Sequence, residues 1–247
     1  MMSINSKLRE DARVQLEGKW GKPILFGFLY IIISAIPSLF LLIGSNPQNI
    51  ASILQLIVSV LITGSLMVGA IMYSLRFKRG EEPEVSVLFE GFKHFGATLG
   101  LYLWYVLWVL LWTLLLIIPG IVKSISYSMC FYVMADNPKI GIKNALNISK
   151  KITKGYKGKI FVLYLSFVGW SILAILPLFI GYLWSILAMS TLFIGYLWSI
   201  LVMLPLLIGY VWLIPYMQIS LANLFDELKN ESIEKFVCTV EEYTKTS

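Results

Sequence analysis

The chain has 247 residues, of which 58% are hydrophobic and 14% charged; its net charge is +6 and its mean hydropathy is +0.79. This composition excludes an ordinary soluble domain and indicates a protein whose solvent is lipid. No Asp, Glu, Lys or Arg occurs in residues 23–75, 94–122 or 160–225. Because a helix needs about 20 apolar residues to cross the hydrocarbon, these stretches predict about two, one and three crossings.

The N-terminal segment, residues 6–20, combines charged residues with apolar residues at helical spacing: Leu8, Ala12, Leu16 and Trp20. This pattern predicts a short amphipathic helix on the membrane surface. Two transmembrane helices are predicted next, over residues 23–43 and 51–75, with the turn-forming sequence GSNPQN between them. The first apolar run has no convincing cleavage site, so we expect a retained span rather than a signal peptide.

Residues 76–95 predict a second interfacial helix, with Pro83 and acidic residues near its start. Its apolar side chains would share one face: Val85, Leu88, Phe89, Phe92 and Phe95. A third span is predicted over residues 96–118, and Pro119 with Gly120 should end it sharply. Residues 121–136 would return across the bilayer, with Lys123 reaching the outer interface. Pro119, Gly120 and Pro215 are candidate hinges, or ordinary turns and kinks without a function of their own.

The sequence after the fourth span is rich in lysine. Asp136-Asn137-Pro138 predicts the start of a helix, with Asp136 or Asn137 as its cap. Each lysine near an anionic leaflet contributes about 1 kcal/mol to membrane association. Residues 139–159 are therefore a candidate site for anionic lipid head groups, through six side chains: Lys143, Lys150, Lys151, Lys154, Lys157 and Lys159. The alternative is that these lysines only fix the topology, since Lys and Arg are retained in cytoplasmic loops.

An internal repeat follows. The ten residues LFIGYLWSIL occupy 178–187 and return at 192–201, and LLIGYVWLIP follows at 206–215. Fourteen helical residues rise about 21 Å, which is less than a full crossing. We interpret residues 181–208 as an internal duplication of 28 residues. It either leaves six spans with the C-terminus inside or adds a seventh that places the C-terminus outside. Its regularly spaced tryptophans predict packing between helices, or alternatively an aromatic cage.

The loop charges predict an orientation. Residues 76–93 and 137–159 are basic or mixed, whereas residues 44–50 carry no charge, so we expect a multi-pass protein of the cell membrane with a cytoplasmic N-terminus. The predicted fold is all-α: a polytopic integral membrane helical bundle with six main transmembrane helices, seven if the repeat adds one, and short interfacial amphipathic helices. Residues 1–228 would form a single membrane domain and residues 229–247 a polar tail.

Motifs for chemistry are absent from the sequence. His94 is the sole histidine, and the two cysteines, Cys130 and Cys238, are far apart. There is no phosphate-binding loop, nucleophile elbow or metal-ligand cluster. We therefore expect no enzyme activity, no catalytic residues, no cofactor and no metal. Nucleic acid is a poor partner, because the lysines alternate with apolar residues.

Two functions remain open on these grounds. The first is a non-enzymatic membrane module that contacts anionic lipid head groups or a membrane protein partner. The alternative is a transporter or efflux component, including self-protection (immunity) against membrane-active peptides. The only charged residues in the predicted spans are Lys123 and Asp136, both near span ends. The spans therefore lack the buried charges that usually mark a transport path, which favours the first function.

Four longer stretches carry a family resemblance: LREDARVQLEGKWG at 8–21, LLLIIPGIVKSISYSMCFYVMADNP at 114–138, NALNISKKITKGYKGKIFVLYLSFVGW at 144–170 and WLIPYMQISLANLFDEL at 212–228. Together they resemble the uncharacterised bacterial family of polytopic membrane proteins called domain of unknown function nine-seven-five. The resemblance covers nearly the whole chain and implies a six-span protein, distantly similar to the membrane domain of some glycerophosphodiester phosphodiesterases. It supplies no catalytic residues, and the duplicated segment departs from the family pattern.

Overall fold

The computed structural model describes residues 4–39, 50–169, 172, 209 and 211–233, and all regular structure in this part of the chain is helical. The helices are α1 (Ile4–Leu16), α2 (Gly21–Ala35), α3 (Ile50–Lys78), α4 (Glu90–Lys93), α5 (Phe95–Leu115), α6 (Ile117–Tyr127), α7 (Cys130–Asp136), α8 (Ile142–Ile152), α9 (157–169) and α10 (211–233). The predicted all-α fold is confirmed. The repeated decamers and most of the predicted polar tail lie outside the described residues.

Four helical segments among the described residues are long and apolar enough to cross a membrane: Gly21–Leu39, Ser52–Lys78, Phe95–Leu115 and Ile117–Asp136. They correspond to the first four predicted spans. Their outer faces expose large apolar side chains, and Leu114 at the end of α5 is 83% exposed. A large exposed apolar surface is what lipid-facing helices require.

Helix α1 is present as predicted, but it packs on the protein rather than on a membrane surface. Its apolar residues Leu8, Ala12 and Leu16 are buried inside the protein. Ala12 and Leu16 belong to a small cluster with Phe77 of α3 and Ile219 of α10. A surface helix and a helix that packs on its own protein need the same amphipathic pattern, so the sequence could not separate them.

The second interfacial helix predicted over residues 76–95 is much shorter in the structure, where only residues 85–93 of this segment form helical turns of their own. Helix α3 continues to Lys78, and a 3₁₀ turn, Val85–Phe89, then leads into the short α4. This turn docks tightly on α3: a Cβ on Gly69 would collide with the carbonyl oxygen of Leu88, and one on Gly91 with that of Ser65. Two glycines thus let two backbones touch, a contact that hydrophobic periodicity does not reveal.

The hairpin of α5 and α6 breaks earlier than predicted. Helix α5 ends at Leu115, Leu116 is extended, and Pro119 lies in the first turn of α6. A proline there removes an N–H that has no partner within the helix anyway, so Pro119 starts a helix instead of ending one. Gly120 lets the two helices approach closely, because a Cβ on it would lie 2.7 Å from the Cα of Thr113.

The prediction of a helix start at Asp136-Asn137-Pro138 was wrong. Helix α8 begins at Ile142 after Gly141, whose φ of +81° favours glycine. Asn137 instead closes a turn, in which its side-chain oxygen accepts a hydrogen bond from the backbone N–H of Lys139 at 3.3 Å. The lysine-rich segment is not one helix either, since residues 153–156 form a turn around Gly155 (φ +89°) before α9 begins.

The centre of the bundle lies around α7, where Cys130 and Met134 are fully buried and Phe131 and Tyr132 almost so. Their rings connect this helix to its neighbours: Phe131 meets Tyr105 of α5 at 5.3 Å between centroids, and Tyr132 meets Phe225 of α10 at 5.6 Å. Helix α10 is therefore part of the same core as the hairpin.

Candidate functional site

A cluster of five charged side chains joins three helices at one end of the bundle: Lys78 and Arg79 at the end of α3, Asp136 at the end of α7, and Asp226 and Lys229 on α10. We call it the charged end. Asp136 accepts hydrogen bonds from Arg79 at 2.5 Å and from Lys229 at 2.6 Å. Lys78 donates to Asp226 at 2.6 Å. The hydrogen bond to Asp136 raises the pKa of Arg79 above its ordinary value, so this group is cationic at any physiological pH.

The ion pairs of the charged end stabilise the fold. Both carboxylates are largely buried, with side chains 17% and 18% exposed, and a buried charge is tolerated only when it is paired and hydrogen-bonded. Every cation of the cluster meets a carboxylate. The cluster therefore neutralises most of its own charge and fixes the ends of α3, α7 and α10 against one another.

Two further carboxylates, Glu82 and Glu90, hold the segment that follows α3 through ion pairs. Arg76 donates to both carboxylate oxygens of Glu90, at 3.0 and 2.6 Å, in the bidentate geometry that Arg favours. This pairing lowers the pKa of Glu90 below its ordinary value. Glu82 lies at the surface and accepts from Lys22 at 2.7 Å, which lowers its pKa as well.

Helix α8 is anchored through its inner face, where four residues are buried: Ala145, Leu146, Ser149 and Ile152. The hydroxyl of Ser149 donates to the carbonyl oxygen of Ser126 at 2.8 Å, and that of Thr153 reaches the same oxygen at 3.3 Å. The apolar face of α8 is thus buried against the rest of the protein and is not free to enter the bilayer. The lysines of this helix are held outward on a fixed support.

The six lysines predicted to contact lipid divide into two groups. Lys143 and Lys150 line one groove, together with residues of α5 and α6, and the Nζ of Lys150 lies 5.2 Å from the ring centre of Tyr127. The other four do not line that groove: Lys151, Lys154, Lys157 and Lys159. Lys151 and Lys154 are exposed, and Lys159 lies over the ring of Tyr156 at 4.8 Å.

The charges in this segment differ from those of the charged end in one respect. Among the described residues, no lysine between 139 and 159 forms an ion pair, whereas Lys78, Arg79 and Lys229 all do. The segment thus presents positive charge that the described part of the protein does not neutralise.

Sequence reasoning missed two parts of this region. It did not connect Asp136 with Asp226 and Lys229, because nothing in a linear pattern pairs residues so distant. It also did not connect Lys123 with the tryptophans of α5, although Trp104, Trp108 and Trp112 recur every four residues. The Nζ of Lys123 lies 4.7 Å from the ring centre of Trp112. Lys123 also lines one groove with Lys143 and Lys150 of the lysine-rich segment, so its predicted position at the outer interface, across the membrane from that segment, does not fit the structure.

Two of the three predicted hinge residues lie in packed contacts. Gly120 is buried against Thr113, as described above, and Pro215 is buried beside Gly27 of α2. A hinge role for Pro119, Gly120 or Pro215 stays a prediction. Within the described residues, no group of three or more His, Cys, Asp or Glu side chains is arranged to hold a metal ion.

Comparison with known proteins assigns the chain to a family. The family model described as Protein of unknown function (DUF975) matches residues 1–126 and residues 113–196, which together make up most of the chain. No curated protein and no solved structure matches it. The predicted resemblance is thereby confirmed, and the chain is a member of the DUF975 family.

Proposed function

We propose that this protein is a non-enzymatic module of the bacterial cell membrane that gathers anionic lipid head groups around the lysine-rich segment, residues 139–159. The observation that carries the proposal is the contrast between paired and unpaired basic residues. At the charged end, carboxylates from other helices meet the cations, but the lysines of α8 and the following turn meet none in the described part of the chain.

The physical basis is electrostatic attraction to a negative surface. Each Lys near an anionic leaflet contributes about 1 kcal/mol, so two or three unpaired lysines favour anionic over zwitterionic lipid by a large factor. The fixed position of α8 adds to this attraction. Because its inner face is already buried, the backbone of α8 loses little conformational entropy when head groups bind.

The orientation follows from the same charges. The charged end and the lysine-rich segment adjoin in the chain at residues 136–142, and both would face the cytoplasm under the positive-inside rule. The N-terminal helix lies on that side as well, since the side chain of Asn5 donates to the carbonyl oxygen of Lys159 at 3.3 Å. The cytoplasmic leaflet is also the more strongly anionic one.

The test measures which lipids accompany the full-length protein. The protein is extracted from a membrane of equal phosphatidylglycerol and phosphatidylcholine into polymer-bounded native discs, and the bound phospholipids are quantified. We expect phosphatidylglycerol to be enriched around the wild type. Replacement of Lys151 and Lys154 by Gln should reduce this enrichment severalfold, because two unpaired charges are removed.

The matched control removes two exposed lysines that already pair with Glu82, through Lys19→Gln and Lys22→Gln, with the same change in net charge. Enrichment should then stay close to that of the wild type. Equal losses in both double variants would show that net charge alone sets the lipid composition. Absence of enrichment around the wild type would remove the proposal altogether.

A further inference from the structure

A groove of about 370 Å³ opens between α5, α6 and α8. One wall is the tryptophan stripe of α5, Trp104, Trp108 and Trp112, in which the first two rings lie 6.2 Å apart between centroids. Three lysines line the same groove, Lys123 from α6 and Lys143 and Lys150 from α8. The groove thus combines three aromatic rings with three cationic groups.

The charge of this groove is one-sided. None of the residues that line it is acidic, and none of its three lysines forms an ion pair within the described residues. Two of the ammonium groups lie over aromatic rings, Lys123 over Trp112 and Lys150 over Tyr127. Cation–π contacts hold an ammonium group in position without neutralising its charge, so the groove remains complementary to an anion.

Lys123 is unusual in its place along the chain. It lies inside the candidate span Ile117–Asp136, close in sequence to the apolar tip of the hairpin, where Leu116, Ile117 and Ile118 are exposed. A charged residue within a membrane helix is costly and is usually retained for a function, with a partner close by. In the described part of the chain, its ammonium group lies over the ring of Trp112, and the two other charged residues of the groove are also lysines.

From this geometry we infer that the groove binds one anionic glycerophospholipid. The lysines hold the phosphate-bearing head group, and the acyl chains lie along α5. This inference rests on the proposed function and narrows it from a charged surface to a single site. The occupant follows from two features: the three lysines of the groove select an anion, and the outer face of α5 selects a lipid.

The outer face of α5 distinguishes a lipid from a water-soluble anion. Leu103, Leu107 and Leu111 each precede a tryptophan of the stripe and are about half exposed, at 49%, 48% and 50%. One residue along a helix is a rotation of about 100°, so these leucines form a lipid-facing strip beside the groove. An acyl chain from a bound lipid can lie on this strip, whereas a small soluble anion would leave it bare.

The experiment measures lipid binding at the groove by fluorescence. Trp20, Trp170, Trp184, Trp198 and Trp212 are replaced by Phe in the full-length chain, which leaves the three groove tryptophans as reporters. The protein is placed in nanodiscs of phosphatidylcholine that contain a fixed fraction of brominated lipid. Brominated phosphatidylglycerol should quench the tryptophans more strongly than brominated phosphatidylcholine does, with a relative binding constant of roughly ten.

Two triple variants separate the groove from the general surface charge. Lys123→Gln with Lys143→Gln and Lys150→Gln should bring the relative binding constant close to one. Lys151→Gln with Lys154→Gln and Lys157→Gln removes the same charge outside the groove and should leave the constant unchanged. Arginine at the three groove positions should restore the preference, which shows that charge and not one side-chain shape is recognised.

The outcomes are distinct for the two proposals. Equal losses of preference in both Gln triples would overturn the groove site and leave the lipid-gathering function in place. Equal quenching by both brominated lipids in the parent would overturn the groove site as well, and a parent that also lacks phosphatidylglycerol enrichment would remove both. Loss of the quenching on addition of free glycerol 3-phosphate would show a soluble-anion site instead.

A cross-linking experiment applies if the five Phe replacements prevent folding. A photoactivatable phosphatidylglycerol should then cross-link peptides of α5 or α8 in the unaltered chain, and labelling confined to other helices would refute the site.

Discussion

The replacement Asp136→Asn tests whether the charged end holds the bundle together. Asp136 is the point at which α3, α7 and α10 meet, since its two carboxylate oxygens accept from Arg79 and Lys229 at 2.5 and 2.6 Å. Asparagine keeps the shape and one acceptor oxygen but removes the negative charge. Arg79, Lys78 and Lys229 would then share a single carboxylate, that of Asp226, from which Arg79 is 3.7 Å away.

The expected magnitude follows from the two charge-assisted bonds. A hydrogen bond to a charged group contributes about 1.5–3 kcal/mol, and the amide oxygen of the introduced asparagine would accept one bond without the carboxylate charge. The side chain of Asp136 is 17% exposed, so solvent screens only part of the loss. We expect the free energy of unfolding to fall by about 2–3 kcal/mol, which corresponds to a decrease in Tm of about 4–12 °C for a chain of this size.

The assay uses the thiol of Cys130, which is completely buried in the core. In a background with Cys238→Ser, a thiol-reactive fluorophore labels Cys130 only when the bundle opens, so labelling against temperature reports the Tm. The control is Glu82→Gln, which removes an exposed carboxylate that pairs with Lys22 and Lys19, and such exposed pairs contribute little. A Tm for Asp136→Asn that equals the control value would refute the reasoning. Lys229→Gln on top of Asp136→Asn should cost less than it does alone, since the pair is coupled.

Three further outcomes are expected. Gly69→Ala should lower the free energy of unfolding by about 1–3 kcal/mol, because the new Cβ collides with the backbone of Leu88. Gly96→Ala, with open space around it, should be neutral or stabilising. Equal effects of the two replacements on Tm would contradict the tight docking of the 85–93 segment. The stabilisation that the ion pair of Glu90 with Arg76 gives the folded protein should be complete above the ordinary carboxyl pKa of 4.5 and should disappear as the pH falls through the lowered folded-state pKa. The wild type and Glu90→Gln should therefore differ in Tm at pH 7 and converge below pH 4.5. A reporter fused after residue 233 should face the same side of the membrane as one inserted in the 79–84 loop, with or without residues 181–208; opposite sides would contradict the pairing of Lys229 with Asp136.

Hydropathy predicted the class of fold well because a membrane span is a local property. About 20 apolar residues without charge suffice, and the first four predicted spans coincide with helices of the structure to within a few residues. The segments between the spans were predicted poorly. In residues 85–93, the conformation depends on the close contacts of Gly91 with Ser65 and of Gly69 with Leu88, and a glycine in a sequence does not indicate which backbone will lie against it.

The candidate site was also predicted only in part, because its local composition is visible in the sequence and its long-range contacts are not. Local composition identified the lysine-rich segment, but it did not show that residues 153–156 break the segment or that Lys143 and Lys150 share a groove with Lys123. The tryptophan spacing on α5 was visible in the sequence. Its meaning was not, because a stripe of aromatic residues at helical spacing serves equally well for packing, for lipid contact or for a binding wall.

The direction of the last helix bears on the repeated segment. Helix α1 runs along α9 in the same direction, since Asn5 contacts Lys159 and Arg9 contacts Ser166. It runs along α10 in the opposite direction, since Leu8 contacts Asn223 and Trp20 stacks on Trp212. Helices α9 and α10 are therefore antiparallel, and residues 169 and 211 lie at the same end of the pair.

This geometry follows from charges rather than from the length of the chain between the two helices. Asp226 and Lys229 must reach Lys78 and Asp136, because either carboxylate left unpaired in this half-buried place would cost several kcal/mol. An inserted apolar segment offers no comparable gain for inverting α10. The ion pairs thus hold the end of α10 beside the ends of α3 and α7, and we expect this pairing to persist whatever number of repeats precedes the helix.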